Sequence, residues 1–236
     1  MMRSMRGVFT PPYKVFPVVR EVKTIGFDSL TIICFTAVFT GMVLGLQGYA
    51  SLKKFGSEGA LGFGVAITLF TELGPVLSAL LLIGRAGSSM CAEIGIMRNS
   101  QQIDALECMA IDPFAYFISP KLIASLISFP ILGFLFTLVG IGGAYISGVM
   151  ILGINPGAFT DGVIRAMADE RLVRMCTIKC LVFGYMMVSI CAFKGYSVYR
   201  QQTKGSMAVS HATTDAVVFS SVMVLLWDYL LTSLLL

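Results

Sequence analysis

Long apolar runs alternate with shorter polar stretches along the whole chain. A transmembrane helix needs roughly 20 predominantly apolar residues, and five runs come close to or exceed that length. The runs are residues 29–52, 60–83, 122–152, 175–193 and 216–236. The pattern predicts an all-α integral membrane protein with five transmembrane helices, which form one membrane domain over residues 29–236.

The residues before the first run are basic and are interrupted by prolines. Residues 1–28 contain five Lys or Arg residues, but no apolar core of signal-peptide length follows them. Pro11, Pro12 and Pro17 break what apolar character there is. We therefore expect an extended start and then a short basic helix that lies at the membrane surface.

The composition agrees with a chain that faces lipid. Of 236 residues, 56% are hydrophobic and 13% are charged, whereas soluble proteins carry roughly 45–50% apolar and about 25% charged residues. The net charge of +4 comes without a basic run interleaved with aromatics, so no nucleic-acid partner is expected. The six cysteines fall mostly in apolar stretches and are expected to be packing residues rather than metal ligands or disulfides.

The distribution of basic residues orients the chain. With the N-terminus inside, ten Lys and Arg residues lie on the inner side and five on the outer side, while Arg85 and Lys179 stay unassigned. Since the inner side of membrane proteins is enriched in Lys and Arg, we expect a cytoplasmic N-terminus.

A few polar side chains interrupt the apolar runs. Glu72 lies near the middle of the second run, just before Gly74 and Pro75. A carboxyl at that depth marks a pathway or a binding site, or else it is protonated or capped beside the helix break. Gln47 is either an interhelical hydrogen-bonding group or a lining group. Lys179 and Asp228 either form an intramembrane pair or extend separately to an interface.

Small residues recur at the spacing of one helical turn. Gly41 and Gly45 form a GxxxG pattern, and Gly140, Ala144 and Gly148 continue the same spacing in the third run. Such residues let helix backbones approach closely in lipid. The pattern predicts helix packing, either within one subunit or at a subunit interface.

The segment 98–113 has the period of a short amphipathic helix. Its apolar positions recur at three and four residues, and Asp104 and Glu107 fall on the opposite face. It lies between spans two and three on the inner side. It either covers lipid headgroups or docks a soluble partner.

Motifs for catalysis are missing from the sequence. There is no GxxxxGK[ST] phosphate loop and no Gly-x-Ser-x-Gly elbow, and the single histidine, His211, has no nucleophile or metal partner in sequence. We therefore expect no catalytic residue and no metal site, and we expect energy conversion on another chain.

Three ordered motifs closely resemble the MlaE-type permease family, the membrane subunits of MCE-associated ABC lipid transporters in diderm bacteria and plastids. They are FTGMVLGLQGY at 39–49, ELGPVLSALLLIGRAGSSMCAEIGIM at 72–97 and QQIDALECMAIDP at 101–113. The resemblance implies a homodimer in the bacterial inner membrane, sitting on a dimer of ABC ATPase subunits that bind the ATP. This chain would hold no cofactor. A periplasmic MCE-domain protein and phospholipid are implied as further partners, with a small cytoplasmic STAS-type protein as an optional one.

The same resemblance assigns roles to individual residues. It places the ATPase coupling helix at about 98–113, with Arg98, Asp104, Glu107 and Asp112 as coupling residues. The family's lipid pocket is formed by the first, second and fifth spans, and its lining falls on Leu44, Leu52, Phe55, Thr71 and Glu72. Some family members have Arg before the Glu of the ELGP motif, where this chain has Thr71. A direct ion pair from this position to a lipid phosphate is therefore not available.

The resulting hypothesis is ATP-driven phospholipid movement between the inner membrane and a periplasmic MCE carrier. A non-transporting membrane anchor for an MCE complex is the alternative. A secondary transporter that titrates Glu72 or Lys179 is a third reading, and the absence of an inverted repeat argues against it.

Overall fold

A computed structural model describes residues 15–200 and 205–235, and every regular element within them is helical. This confirms the all-α prediction. The first 14 residues of the predicted basic segment and Lys204 lie outside the described residues. The α-helices are α1 Val15–Ile25, α2 Leu30–Lys53, α3 Leu61–Thr68, α4 Gly74–Leu82, α5 Ser88–Asn99, α6 Gln102–Cys108, α7 Ser119–Tyr145, α8 Pro156–Met167, α9 Glu170–Tyr196 and α10 Ser206–Leu235.

Five helical stretches are long and apolar enough to cross a membrane, as predicted. A helix satisfies all its backbone hydrogen bonds internally, which lipid requires of any spanning segment. Span one contains α2, span two contains α3 to α5, span three contains α7, span four contains α9 and span five contains α10. The stretches are Phe16–Lys53, Glu58–Asn99, Tyr116–Ile151, Glu170–Tyr199 and Ser206–Leu235.

Span two is continuous through the predicted break at Gly74 and Pro75. It changes locally from α- to π-helical geometry at Leu69–Leu73, and the N–H of Gly74 bonds the carbonyl of Leu69, five residues earlier. A π-turn adds one residue to the helical ring and so accommodates a proline that cannot donate a hydrogen bond. A second π-turn, Ile83–Gly87, follows α4.

The chain forms two compact units, each assembled from three stretches. Unit 1 comprises Met1–Ser29, Ala79–Phe129 and Leu181–Trp227, and unit 2 comprises Leu30–Ser78, Pro130–Cys180 and Asp228–Leu236. In unit 1, α1 is attached to the spans through the Glu21 side chain, while Phe16 and Val19 are exposed. All six cysteines are free thiols, four of them buried. No group of side chains in the described part of the chain could hold a metal ion.

Close helix packing in unit 2 depends on glycine. A Cβ placed on Gly41 would lie 2.7 Å from the carbonyl carbon of Gly140, and one on Gly45 would lie 3.0 Å from the carbonyl oxygen of Ala144. Both glycines are buried. They therefore pack span one against span three of the same chain, which is the within-subunit alternative.

From its sequence, the polar stretch at 155–174, between the third and fourth apolar runs, is expected to be a loop. The structure instead shows helix at both of its ends, since its last residues begin α9 at Glu170. Residues Pro156–Met167 form α8, whose start is capped by the Asn155 side chain accepting from the N–H of Gly157 at 2.9 Å. The proline occupies the first turn, where its missing N–H costs nothing. Gly62 and Gly162 allow α3 and α8 to pack closely, because a Cβ on either would overlap backbone of the other helix.

The helix expected at 98–113 is shorter than the predicted segment. Arg98 belongs to the end of α5, and α6 covers only Gln102–Cys108. Gln101 before it and Ala110 after it have φ angles of 58° and 59°, in the left-handed region. These two turns separate α6 from its neighbours along the chain.

Candidate functional site

The buried ammonium group of Lys179 is the centre of a polar cluster inside unit 2. Its side chain is fully buried, and an unpaired charge at such a position costs several kcal/mol, roughly. Its Nζ donates to the Thr71 carbonyl at 2.7 Å, to Glu72 Oε2 at 2.9 Å and to Thr232 Oγ1 at 2.7 Å. An ammonium group has three N–H donors, so all of them have acceptors.

Asp228 completes the charge balance from span five. Its Oδ1 lies 2.7 Å from Lys179 Nζ, yet this oxygen accepts no hydrogen bond from the described residues. Asp228 is therefore a second carboxylate partner of the ammonium group, at ion-pair distance.

The hydroxyl of Thr232 links the two carboxylate residues. It accepts from Lys179, and it has two acceptors for its single hydrogen, Glu72 Oε1 at 3.0 Å and the Asp228 carbonyl at 2.8 Å. One hydrogen cannot serve both acceptors at full strength. The hydroxyl can therefore turn between Glu72 and the backbone of span five without leaving Lys179.

The position of Pro75 explains why a backbone carbonyl is available to Lys179. In an α-helix the carbonyl of residue 71 accepts from the N–H of residue 75. Pro75 has no N–H, so the Thr71 carbonyl lacks its regular helical donor. Lys179 supplies a donor from span four.

The cluster contains two carboxyl groups for one ammonium group. Glu72 and Asp228 face one ammonium group, which leaves one surplus negative charge when both carboxyls are ionised. The three charged side chains differ in exposure: Lys179 is 0% exposed, Asp228 17% and Glu72 37%. Glu72 is thus the member of the cluster that an outside group can reach most directly.

A second buried lysine forms a similar cluster in unit 1. Lys121 Nζ lies 2.9 Å from Glu21 Oε1 and 2.7 Å from Glu93 Oε2. Glu21 belongs to α1 and Glu93 to α5, while Lys121 lies at the start of α7. This cluster attaches the N-terminal helix to two spans, and no pattern in the sequence pointed to it.

The four residues predicted to couple to an ATPase all have partners within the chain. Arg98 forms an ion pair with Asp104. Glu107 Oε1 accepts from the Tyr196 hydroxyl at 3.1 Å, and Asp112 Oδ1 accepts from the N–H of Phe114 at 2.9 Å. The side chain of Asp104 remains 51% exposed, so contact with a partner stays a prediction.

The residues predicted to line a lipid pocket lie on α2, in the turn after it and in the π-turn of span two. Leu44 and Leu52 are half-buried on α2, and Phe55, in the turn after it, is 81% exposed. Thr71 and Glu72 lie in the π-turn of span two. The structure brings these last two together with Lys179, Asp228 and Thr232, and lipid contact by all five predicted lining residues stays a prediction. Gln47 is exposed.

The sequence signalled part of this cluster. Lys179 and Asp228 stood out as single charges within apolar runs, and the structure shows that they pair. Thr232 gave no signal, because an isolated threonine in a hydrophobic span is common. The Thr71 carbonyl could have been found from the proline four residues later.

Comparisons with known proteins cover nearly the whole described chain. The family Permease MlaE matches residues 18–234. The Haemophilus influenzae intermembrane phospholipid transport system permease protein MlaE is 40% identical over 94% of this chain and 84% of its own length. A probable ABC transporter permease protein of Rickettsia prowazekii is 35% identical over 98% of this chain and 87% of its own. The chloroplastic protein TRIGALACTOSYLDIACYLGLYCEROL 1 of Arabidopsis thaliana is 30% identical over 91% of this chain and 60% of its own.

Proposed function

This chain belongs to the Permease MlaE family, and we propose that it is the membrane subunit of an ATP-driven phospholipid transporter. The observation that carries the proposal is the family match across all five spans, together with 40% identity to a phospholipid transport permease. Substrate movement takes place through this chain, and ATP is bound and hydrolysed on a separate ABC ATPase.

The intramembrane cluster supports a transport role. Ionisable side chains within membrane spans are costly and by default mark a substrate path or a proton path. Here three such side chains from spans two, four and five meet around Lys179. A scaffold that only anchors other proteins has no need of a charged group that is 37% exposed at such a site.

Within this proposal, Glu72 forms the polar end of a lipid site. Its carboxyl group is the most exposed of the cluster, and the cluster has two carboxyl groups for one ammonium group, which suits the amine of a zwitterionic headgroup. Leu44, Leu52 and Phe55 provide apolar surface for acyl chains. Such sites combine apolar walls with a few placed polar groups.

The remaining parts of the assembly are proposed from the resemblance to the family. We propose a homodimer in the bacterial inner membrane with a cytoplasmic N-terminus. An ABC ATPase dimer contacts the segment around α6, and an MCE-domain protein exchanges phospholipid on the periplasmic side. A STAS-type protein is an optional partner. The chain itself binds no cofactor.

The test is ATP-dependent lipid transfer by the reconstituted complex. The complex with its ATPase and MCE-domain protein is placed in liposomes, and transfer of a labelled phospholipid to or from the MCE domain is followed. The wild-type complex is expected to transfer lipid only with ATP. Glu72→Gln removes the charge but keeps the shape, and it is expected to reduce transfer at least about tenfold, which corresponds to about 1.4 kcal/mol.

The matched control is Glu58→Gln, a half-buried acid at the start of the same span, which is expected to leave transfer unchanged. Unchanged transfer in Glu72→Gln would remove that residue from the lipid site. A wild-type complex that assembles but never moves lipid would support the anchor alternative instead.

A further inference from the structure

Tyr196, at the end of span four, contacts three other segments of unit 1. Its hydroxyl donates to Glu107 on α6 at 3.1 Å. Its ring lies 5.2 Å from the ring of Phe114, in the π-turn that precedes span three. The guanidinium of Arg98, near the end of span two, lies 4.8 Å from the centre of the same ring. The Tyr196 side chain thus contacts α6 itself, the end of span two before it and the π-turn after it.

Arg98 strengthens this arrangement from the other side. Its guanidinium also lies 4.8 Å from the ring of Tyr199 and pairs with Asp104 on α6. A guanidinium group stacks on aromatic faces and bonds a carboxylate at the same time, which a lysine ammonium cannot do equally well. We call Arg98, Asp104, Glu107, Tyr196 and Tyr199 the span-four joint.

The short helix α6 needs such external attachment. It has seven residues, and isolated helices shorter than roughly 12–15 residues are marginal in water. Within it, Ile103 is buried and Leu106 is half-buried, while its other residues are exposed. The ion pair and the hydrogen bond of the span-four joint connect α6 to the ends of spans two and four.

We propose that Tyr196 and Arg98 are positioning residues that transmit movement of α6 into span four. The proposal rests on the proposed function, in which α6 is the contact for the ATPase. Span four is also the helix that carries Lys179. A displacement of α6 by the ATPase therefore acts on the end of span four, because Tyr196 connects the two.

The test measures how much lipid moves for each ATP hydrolysed. In the reconstituted complex, Tyr196→Ala is expected to preserve ATP hydrolysis and to lower phospholipid transferred per ATP roughly 2- to 30-fold, the range of coupling changes for residues between two sites. Stimulation of the ATPase by lipid is expected to weaken in parallel, since coupling between sites acts in both directions. Tyr185→Ala, on the same span and outside the joint, is the control and is expected to retain the wild-type ratio.

Milder variants distinguish positioning from general damage. Tyr196→Phe keeps the ring and loses only the bond to Glu107, so it is expected to show a small loss of coupling. Arg98→Lys keeps the charge and loses the stacking. A double-mutant cycle of Tyr196→Phe with Glu107→Gln is expected to be non-additive. If Tyr196→Ala fails to assemble, these variants test whether Tyr196 and Arg98 are positioning residues.

The outcomes separate the two proposals. If Tyr196→Ala transfers as much lipid per ATP as the wild type, the role of the joint is overturned and the proposed function stays intact. If Tyr196→Ala does not assemble, an unchanged ratio in both Tyr196→Phe and Arg98→Lys has the same meaning. A wild-type complex that neither responds to lipid nor moves it would overturn the proposed function, and the role of the joint with it.

Discussion

Lys179 donates a hydrogen bond of 2.7 Å to the backbone carbonyl of Thr71. The α-helical donor for this carbonyl would be the N–H of residue 75, which is a proline and has none. A backbone carbonyl next to a proline in span two therefore accepts a hydrogen bond from the ammonium group on span four. In lipid, neither the carbonyl nor the ammonium group can turn to water instead, so each stabilises the other's position.

Lys179→Met is expected to destabilise the protein strongly. Two carboxylates would lose their counter-ion, and breaking a buried ion pair in this way costs about 3–5 kcal/mol. Thermal and chemical unfolding of the purified protein in detergent measures the loss. The control is Lys194→Met, whose pair with Asp215 is 3.7 Å long and partly exposed, so its change is expected to stay below about 1 kcal/mol.

Removing all charges from the cluster is expected to restore much of that stability. The variant carrying Lys179→Met, Glu72→Gln and Asp228→Asn has no uncompensated charge, and neutral replacements of buried ion pairs are often tolerated. Transfer of phospholipid is expected to stay low, because Glu72 is gone. If the triple variant were as unstable as Lys179→Met alone, the electrostatic account of the cluster would be wrong.

Gly41→Ala is expected to destabilise the packing of spans one and three. The added methyl would lie 2.7 Å from the carbonyl carbon of Gly140, and overpacking of this kind costs about 1–3 kcal/mol. Gly64→Ala is the control, since a Cβ there meets no atom within 4 Å. Unfolding in detergent compares the two, and equal losses would contradict the packing argument.

Ala110→Gly is expected to stabilise the short helix α6 against local unfolding. Ala110 has a φ of 59°, a conformation that costs an L-residue roughly 1–2 kcal/mol and glycine almost nothing. Hydrogen exchange of the peptide covering α6 is expected to slow about two- to fivefold. Ala105→Gly, inside the same helix, is expected to accelerate exchange. Exchange that changes in the same direction in both variants would show that backbone conformation is not the cause.

Lys121→Met is expected to release the N-terminal helix. The buried ammonium group joins Glu21 on α1 to Glu93 on span two, so its loss leaves two carboxylates without their counter-ion. Hydrogen exchange across Val15–Ile25 is expected to rise severalfold. Lys23→Met changes an exposed lysine on the same helix and serves as the control. Equal exchange in both variants would show that the Lys121 cluster does not hold α1.

The sequence determined the number of spans, because lipid requires long apolar helices and nothing else in the chain produces such runs. Its motifs determined the family. It also marked Glu72, Lys179 and Asp228, since each is a single charge in an apolar run. It left open whether they meet, because helix contacts depend on rotation and tilt, which one-dimensional spacing does not contain.

Only the tertiary structure decided the partners of these groups. It paired Lys179 with three acceptors and with Asp228, and it placed Gly41 against span three of the same chain. It also showed that 156–167 is a helix rather than a loop, and that Gly62 and Gly162 bring this helix close to α3. The physical reason is the same in each case. Hydropathy fixes which segments enter lipid, whereas the pairing of buried polar groups is fixed by which helix faces meet.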